Sequence, residues 1–155
     1  VYAPAFGRIW WGGAQAYGAH VSPGQAMPHP AQAAILRTRP ARSPLAALES
    51  RSHMTPQTAG AMARLSPVLG RPVGSSMKFC LIASAEADLC LRLGPTMEWD
   101  TAAGDAVLRA AGGVTTSADG RPLLYGKADR GFRNADYIAW GDPSIIRDLS
   151  EFAAP

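Results

Sequence analysis

Gly94-Pro-Thr-Met-Glu-Trp-Asp100-Thr-Ala-Ala-Gly-Asp-Ala-Val-Leu-Arg-Ala-Ala-Gly-Gly113 reads as a turn, an acidic helix start and a small-residue helix closed by a glycine pair. Ala103, Ala106, Val107, Ala110 and Ala111 recur at helical spacing, which predicts an inner face. Gly112 stands where a helix wants a left-handed residue after its last turn. The stretch places one carboxylate, Asp100, at the mouth of the helix. A helix start carries free N–H groups and partial positive charge. A carboxylate there can cap the helix, or it can hold a metal ion beside a phosphate that rests on the same amides.

Outward from that helix, strands and helices alternate. Val1 to Gly13 predicts two short strands around a turn at Pro4 to Gly7, closed by Gly12-Gly13, and Ala16 to Val21 a third. Residues 22–44 are rich in Pro and Ala and read as a loop, with one short strand at Ala34 to Thr38. Ala46 to Glu49 is a short buried strand. Thr55-Pro56 reads as an N-cap and first helical position, opening a helix over Gln57 to Leu65 with Ala61, Met62 and Leu65 inward. Met77 to Ala87 is apolar nearly all round and predicts a buried helix. Ala87 to Leu93, Val114 to Ser117 and Tyr137 to Trp140 predict strands, Ala118-Asp119-Gly120 a turn, and Pro143 to Phe152 a last helix. The alternation over residues 46–153 gives an α/β class, a layered α+β sandwich.

The chain has 155 residues, 47% of them hydrophobic and 17% charged, with a net charge of +3. It is long enough to bury a core and too apolar to be disordered. It has no Lys/Arg run of the kind that binds a nucleic-acid polymer, and no apolar stretch near the ~20 residues of a transmembrane helix. An anionic small molecule suits the charge balance. Cys80 and Cys90 sit in apolar runs, without CxxC or Cys/His zinc spacing, and read as buried reduced thiols. Asp88 and Asp105 read as solvated or structural, and Trp10 and Trp11 as core.

Four places carry candidate chemistry. Asp100 is the first, as cap or metal ligand. Gly74-Ser75-Ser76-Met77-Lys78 is the second, where glycine, hydroxyls and a lysine could hold phosphate oxygens, or a Ser cap could stand beside an exposed Lys. Ser50-Arg51-Ser52-His53 follows a buried strand directly, where open α/β sheets place ligand contacts, and is otherwise a polar turn. Arg92 ends an apolar strand, facing a phosphate or reaching past its own packed stem to water.

Trp99-Asp100-Thr101-Ala102-Ala103-Gly104 followed by Ala111-Gly112-Gly113 resembles the second signature of the inositol monophosphatase superfamily. Tyr2-Ala3-Pro4, Ser50-Arg51-Ser52-His53, Gly74-Ser75-Ser76-Met77-Lys78-Phe79-Cys80, Arg92-Leu93-Gly94-Pro95-Thr96 and Gly120-Arg121-Pro122-Leu123 bring it closest to the 3′(2′),5′-bisphosphate nucleotidases of the bacterial CysQ type. Inositol monophosphatases usually carry small and apolar residues where this chain has Lys78, and a Lys there suits a substrate with a second phosphate.

The resemblance implies an inositol monophosphatase/sugar phosphatase-like fold, of which this chain is expected to be the C-terminal portion. Residues 1–45 would be a remnant of the N-terminal sheet domain plus a loop, and 46–155 the nucleotide-side domain. It implies hydrolysis of adenosine 3′,5′-bisphosphate to AMP and phosphate, linked to sulfate assimilation, with Mg²⁺ as cofactor. Asp100 would be the catalytic metal ligand; Ser50, His53, Ser75, Lys78, Arg92 and Asp100 would contact the nucleotide. The expected location is the cytoplasm, with the periphery of the inner membrane as the alternative. The family's other metal ligands lie in a Glu-Glu segment and an Asp-Pro-Ile/Leu-Asp-Gly-Thr segment, and neither occurs in these residues. The chain alone is therefore expected to show little or no phosphatase activity. An inositol or sugar phosphatase, or a non-catalytic nucleotide-binding fragment, are the other readings.

Overall fold

The computed structural model describes residues 1–49, 55–65, 67–74 and 76–153. The first sheet is antiparallel, with strands β1 (Tyr2–Ala3), β2 (Arg8–Gly12), β3 (Ala16–His20) and β4 (Ala34–Leu36) in sequence order. A single 3₁₀ turn at Pro4–Phe6 joins the first two. The second sheet holds β5 (Leu45–Glu49), β6 (Val68–Pro72), β7 (Leu89–Arg92), β9 (Val114–Ser117) and β11 (Tyr137–Trp140), in the order β6-β5-β7-β11-β9. β5 runs parallel to both β6 and β7, whereas β11 is antiparallel to its two neighbours. A third ladder pairs β8 (Thr96–Met97) with β10 (Arg133–Asn134).

Three helices complete the layers: α1 (Pro56–Arg64), α2 (Met77–Ala83) and α3 (Glu98–Ala110). α3 packs on α2, on β2 and β3 of the first sheet, and on β9 of the second. Trp10, Ala16 and Leu36 thus share one apolar core with Phe79 to Ala83 of α2, Val107, Leu108 and Ala111 at the end of α3, and Cys90, Tyr137 and Ala139 on one sheet face. The opposite face presents Leu89, Leu91, Ile138 and Trp140 to Ala61 and Leu65 at α1 and to Leu149. The second sheet is covered on both faces, so its central strands read as apolar runs rather than as an alternation. Among the described residues no helix is long and apolar enough to cross a membrane.

Most predicted elements are present, with Thr55 capping α1 through the Thr58 N–H and Gly112 at φ +100 ending α3. Five readings need correction. The helix from Met77 stops at Ala83, not Ala87, because the Ser84 hydroxyl bonds the Cys80 carbonyl and Ala85 takes φ +60. The last helix, Pro143 to Phe152, is two separate 3₁₀ turns, Pro143–Ile145 and Ser150–Phe152. There Asp142 and Asp148 bond the N–H groups two residues on, a local alternative that competes with a continuous helix. Ala103 and Ala106 face solvent; the inward face is Thr101, Gly104, Asp105, Val107 and Leu108. Asp88 and Asp105 are buried rather than solvated, Asp88 bridged by Arg39 at 2.8 Å and Asp105 by Arg109 at 2.8 Å. Trp11 is only half-buried, stacked on Tyr17, while Trp10 is core.

β6 was not legible in the sequence. Its Leu69, Gly70, Arg71 and Pro72 are exposed, as suits an edge strand with Gly and Pro and no buried alternation.

Candidate active site

α3 begins beside the edge where β5 and β7 end. Asp100 is not its N-cap. Met97 holds that place, and Asp100 sits three residues in, its Oδ2 accepting the Met97 N–H at 2.8 Å. The Asp100 carbonyl accepts the Ser76 hydroxyl at 2.7 Å, which ties the start of α3 to the start of α2. Asp100, Thr96 and Met97 form one wall of a cavity of ≈ 380 Å³; Arg130, Gly131 and Arg133 form the other.

Lys78 lies in the first turn of α2 and is only 6% exposed. Among the described residues it has no ion pair or hydrogen bond. A cation on a largely buried side chain without a partner is costly, and the first turn of a helix adds to the cost. Its charge reaches the Cys90 thiol on β7. Arg92 stands two residues further along the same strand, on the same face. Its guanidinium touches only the Pro95 carbonyl, at 3.4 Å, and its Nε is buried with no hydrogen-bond partner. The fields of Arg92 and Asp100 both reach the hydroxyl of Tyr137, which burial pushes well above the ordinary phenol range. Arg92 and Asp100 thus lie within electrostatic reach of Tyr137, and Lys78 within reach of Cys90, two residues before Arg92 on β7. Ser50, His53 and Ser75, the other expected contacts, lie outside the described residues.

Two groups escaped the sequence reading. Asn134 donates to Thr96 Oγ1, the Met97 carbonyl and Thr101 Oγ1 at 3.2, 3.0 and 3.1 Å, pinning β8 and the first turn of α3 from below. Glu98 is buried, accepts the Gly126 and Lys127 N–H groups at 2.9 and 3.0 Å, and pairs with Lys127 Nζ at 2.7 Å. Its position beside Trp99-Asp100 was visible in the sequence; its partners, 28 and 29 residues away, were not. These bonds, led by that to Lys127, lower the Glu98 carboxyl to about 2. Its stabilising contribution is therefore full above the unfolded value of ~4.3 and disappears as pH falls through about 2. Glu98→Gln is expected to lose less stability than the parent between pH ~4.5 and ~2, read as denaturation midpoints. Superimposable pH profiles would remove Glu98 as the clamp.

Cys80 and Cys90 are both buried and free, and burial pushes each thiol up to about 11. Neither is a thiolate nucleophile at neutral pH. Among the described residues no group of three or more His, Cys, Asp or Glu side chains could hold a metal ion. Asp100 alone offers a cation one carboxylate, whose Oδ2 already accepts the Met97 N–H.

Residues 1–147 match the family described as "Inositol monophosphatase family". The chain belongs to that family. It is 60% identical over 73 residues to an uncharacterized protein in the pss 5′ region of Rhizobium leguminosarum bv. phaseoli, covering 44% of this chain and 77% of that protein. It is 43% identical over 91 residues to the 3′(2′),5′-bisphosphate nucleotidase CysQ of Shigella flexneri, covering 59% of this chain and 37% of that one. The crystal structure of CysQ from Bacteroides thetaiotaomicron, a bacterial member of the inositol monophosphatase family, superposes with a TM-score of 0.78 at 34% identity, covering 90% of this chain and 55% of that one. The chain thus spans well under two thirds of either CysQ protein. The α/β fold expected from the sequence is that of the inositol monophosphatases.

Proposed function

We propose that this chain is the nucleotide-binding side of a Mg²⁺-dependent 3′(2′),5′-bisphosphate nucleotidase acting on adenosine 3′,5′-bisphosphate in sulfate assimilation. The observation that carries the reading is the pair of underused cations, Lys78 and Arg92. Two cationic groups without an ion pair among the described residues, one buried and one half-buried, are explained by a ligand that brings an anion besides the phosphate that leaves. A simple monoester such as inositol phosphate has no phosphate besides the one that leaves. The similarity to CysQ proteins supports the same choice.

On this reading residues 46–155 hold the nucleotide, with Ser50, His53 and Ser75 adding donors. Lys78 and Arg92 grip the phosphate that is retained and so orient the one that leaves. Bound Mg²⁺ would neutralise charge on the phosphoryl oxygens, and Asp100 would be this chain's ligand to it. Positioning and charge then provide most of the acceleration.

The test is nucleotide binding with and without Mg²⁺. The parent chain is expected to bind adenosine 3′,5′-bisphosphate more tightly when Mg²⁺ is added, and to bind inositol 1-phosphate at least ~10-fold more weakly, the worth of one charge-assisted contact. Asp100→Asn removes a carboxylate that repels phosphate in Mg²⁺-free buffer. It should therefore bind at least as well there, and gain nothing from Mg²⁺. An equal response to Mg²⁺ in parent and variant would reduce Asp100 to a helix cap.

A further inference from the structure

Trp99 is 67% exposed and Phe132 42% exposed, and their rings meet at 6.4 Å between centroids with planes at 53°. An exposed pair of large aromatic side chains contributes little to a core and marks a surface that meets something. The fold holds this pair firmly. Glu98 donates its N–H to the Phe132 carbonyl at 2.9 Å, and Phe132 donates its own N–H to the Lys127 carbonyl at 2.8 Å. The Glu98 carboxylate grips the same loop at Gly126 and Lys127. Phe132 takes φ +60, a backbone conformation that disfavours a bulky side chain. Such strain at an exposed aromatic is tolerated where the ring is needed.

The neighbours of both rings define what the surface would meet. Met97 stands two residues before Trp99 and Asp100 follows it, and Gly131 and Arg133 flank Phe132; all four line the ≈ 380 Å³ cavity together with Arg130. Arg133 has no ion pair among the described residues. Aromatic faces beside guanidinium groups recognise a flat, π-bearing ring attached to an anion. An inositol or furanose ring has no such face.

We infer that Trp99 and Phe132 form a stacking platform for the purine base of the phosphorylated nucleotide. The inference rests on the nucleotidase reading above and assigns it a base-side contact. Arg130 and Arg133 supply the complementary charge, and Glu98 is the positioning residue that keeps the platform assembled.

The experiment titrates the chain with adenosine 3′,5′-bisphosphate and, separately, with ribose 5-phosphate, which lacks the base. Trp99→Ala is expected to weaken nucleotide binding roughly tenfold or more, as for the loss of one base–aromatic stack, and to leave ribose 5-phosphate binding unchanged. Trp99→Phe should restore most of the loss. Phe132→Gly is the second variant. Glycine accepts φ +60 freely, so this protein should fold at least as well as the parent while losing nucleotide affinity. Unchanged nucleotide affinity in both variants, with the parent still binding the nucleotide through Lys78, overturns the platform and leaves the nucleotidase reading intact. Failure of the parent to bind any bisphosphate nucleotide overturns both. Self-association of the parent that Trp99→Ala abolishes, with nucleotide affinity untouched, also overturns the platform and assigns the face to a second copy of the chain.

Discussion

Lys78→Met is expected to weaken binding of adenosine 3′,5′-bisphosphate by about 100-fold while leaving folding stability equal or higher. The two effects have opposite signs because they come from the same physical state. Lys78 is 6% exposed as a residue and has no ion pair among the described residues, so the folded protein carries part of its desolvation cost whenever no ligand is bound. Met keeps the length and apolar stem and removes the charge. In the proposed complex, by contrast, the ammonium would face phosphate in a poorly solvated place, where a charge-assisted bond contributes ~1.5–3 kcal/mol, or about 10- to 150-fold. Calorimetric binding and urea denaturation on the same preparation check both halves. A stability loss beyond ~1 kcal/mol with little change in affinity would make Lys78 a structural residue and remove the main support for a doubly phosphorylated substrate.

Gly113→Ala is expected to lower stability by about 3 kcal/mol, near the upper end for overpacking. A Cβ at Gly113 would stand 2.4 Å from Leu108 Cδ1 and 2.6 Å from the Trp140 carbonyl oxygen. The leucine tip could turn away. The carbonyl belongs to β11 and is held in the ladder that β11 forms with β9, so it cannot. Relief requires α3 to part from the second sheet, which opens the core shared by Leu108, Val107 and Ala111. The urea midpoint should fall at constant slope. Gly13→Ala is the control, since a Cβ there meets nothing within 4 Å, and its midpoint should stay within ~0.5 kcal/mol of the parent. A Gly113→Ala protein as stable as this control would show that the end of α3 is not locked against β11.

The local half of the fold is legible because local rules decide it. Thr55-Pro56 opens a helix wherever it can, since the hydroxyl and the pre-set φ of proline act within one turn. The strands at Val114–Ser117 and Tyr137–Trp140 follow from their residue types. Ala103 and Ala106 were misread because alanine suits either face of a helix; which side is inward depends on where α2 and the two sheets lie. Pro143 to Phe152 was misread because its aspartates bond their own backbone in preference to extending a helix. In the site, the residue types are visible at Lys78, Arg92 and Asp100, but the burial of Lys78 and the bond from the Met97 N–H to Asp100 are not.

The amino-acid order alone determined the α/β class, the acidic opening and glycine closure of α3, and the cationic residues that suit a phosphate-bearing ligand. Those are properties of torsion angles, short-range hydrogen bonds and side-chain chemistry, which act over a few residues. Only the tertiary structure decided that Met97 rather than Asp100 is the cap, that Lys78 is buried unpaired, and that Glu98 reaches across to Gly126 and Lys127 to hold Phe132 beside Trp99. These depend on which distant segments the shared core brings into contact, and burial and pairing are set by that packing rather than by neighbours along the chain.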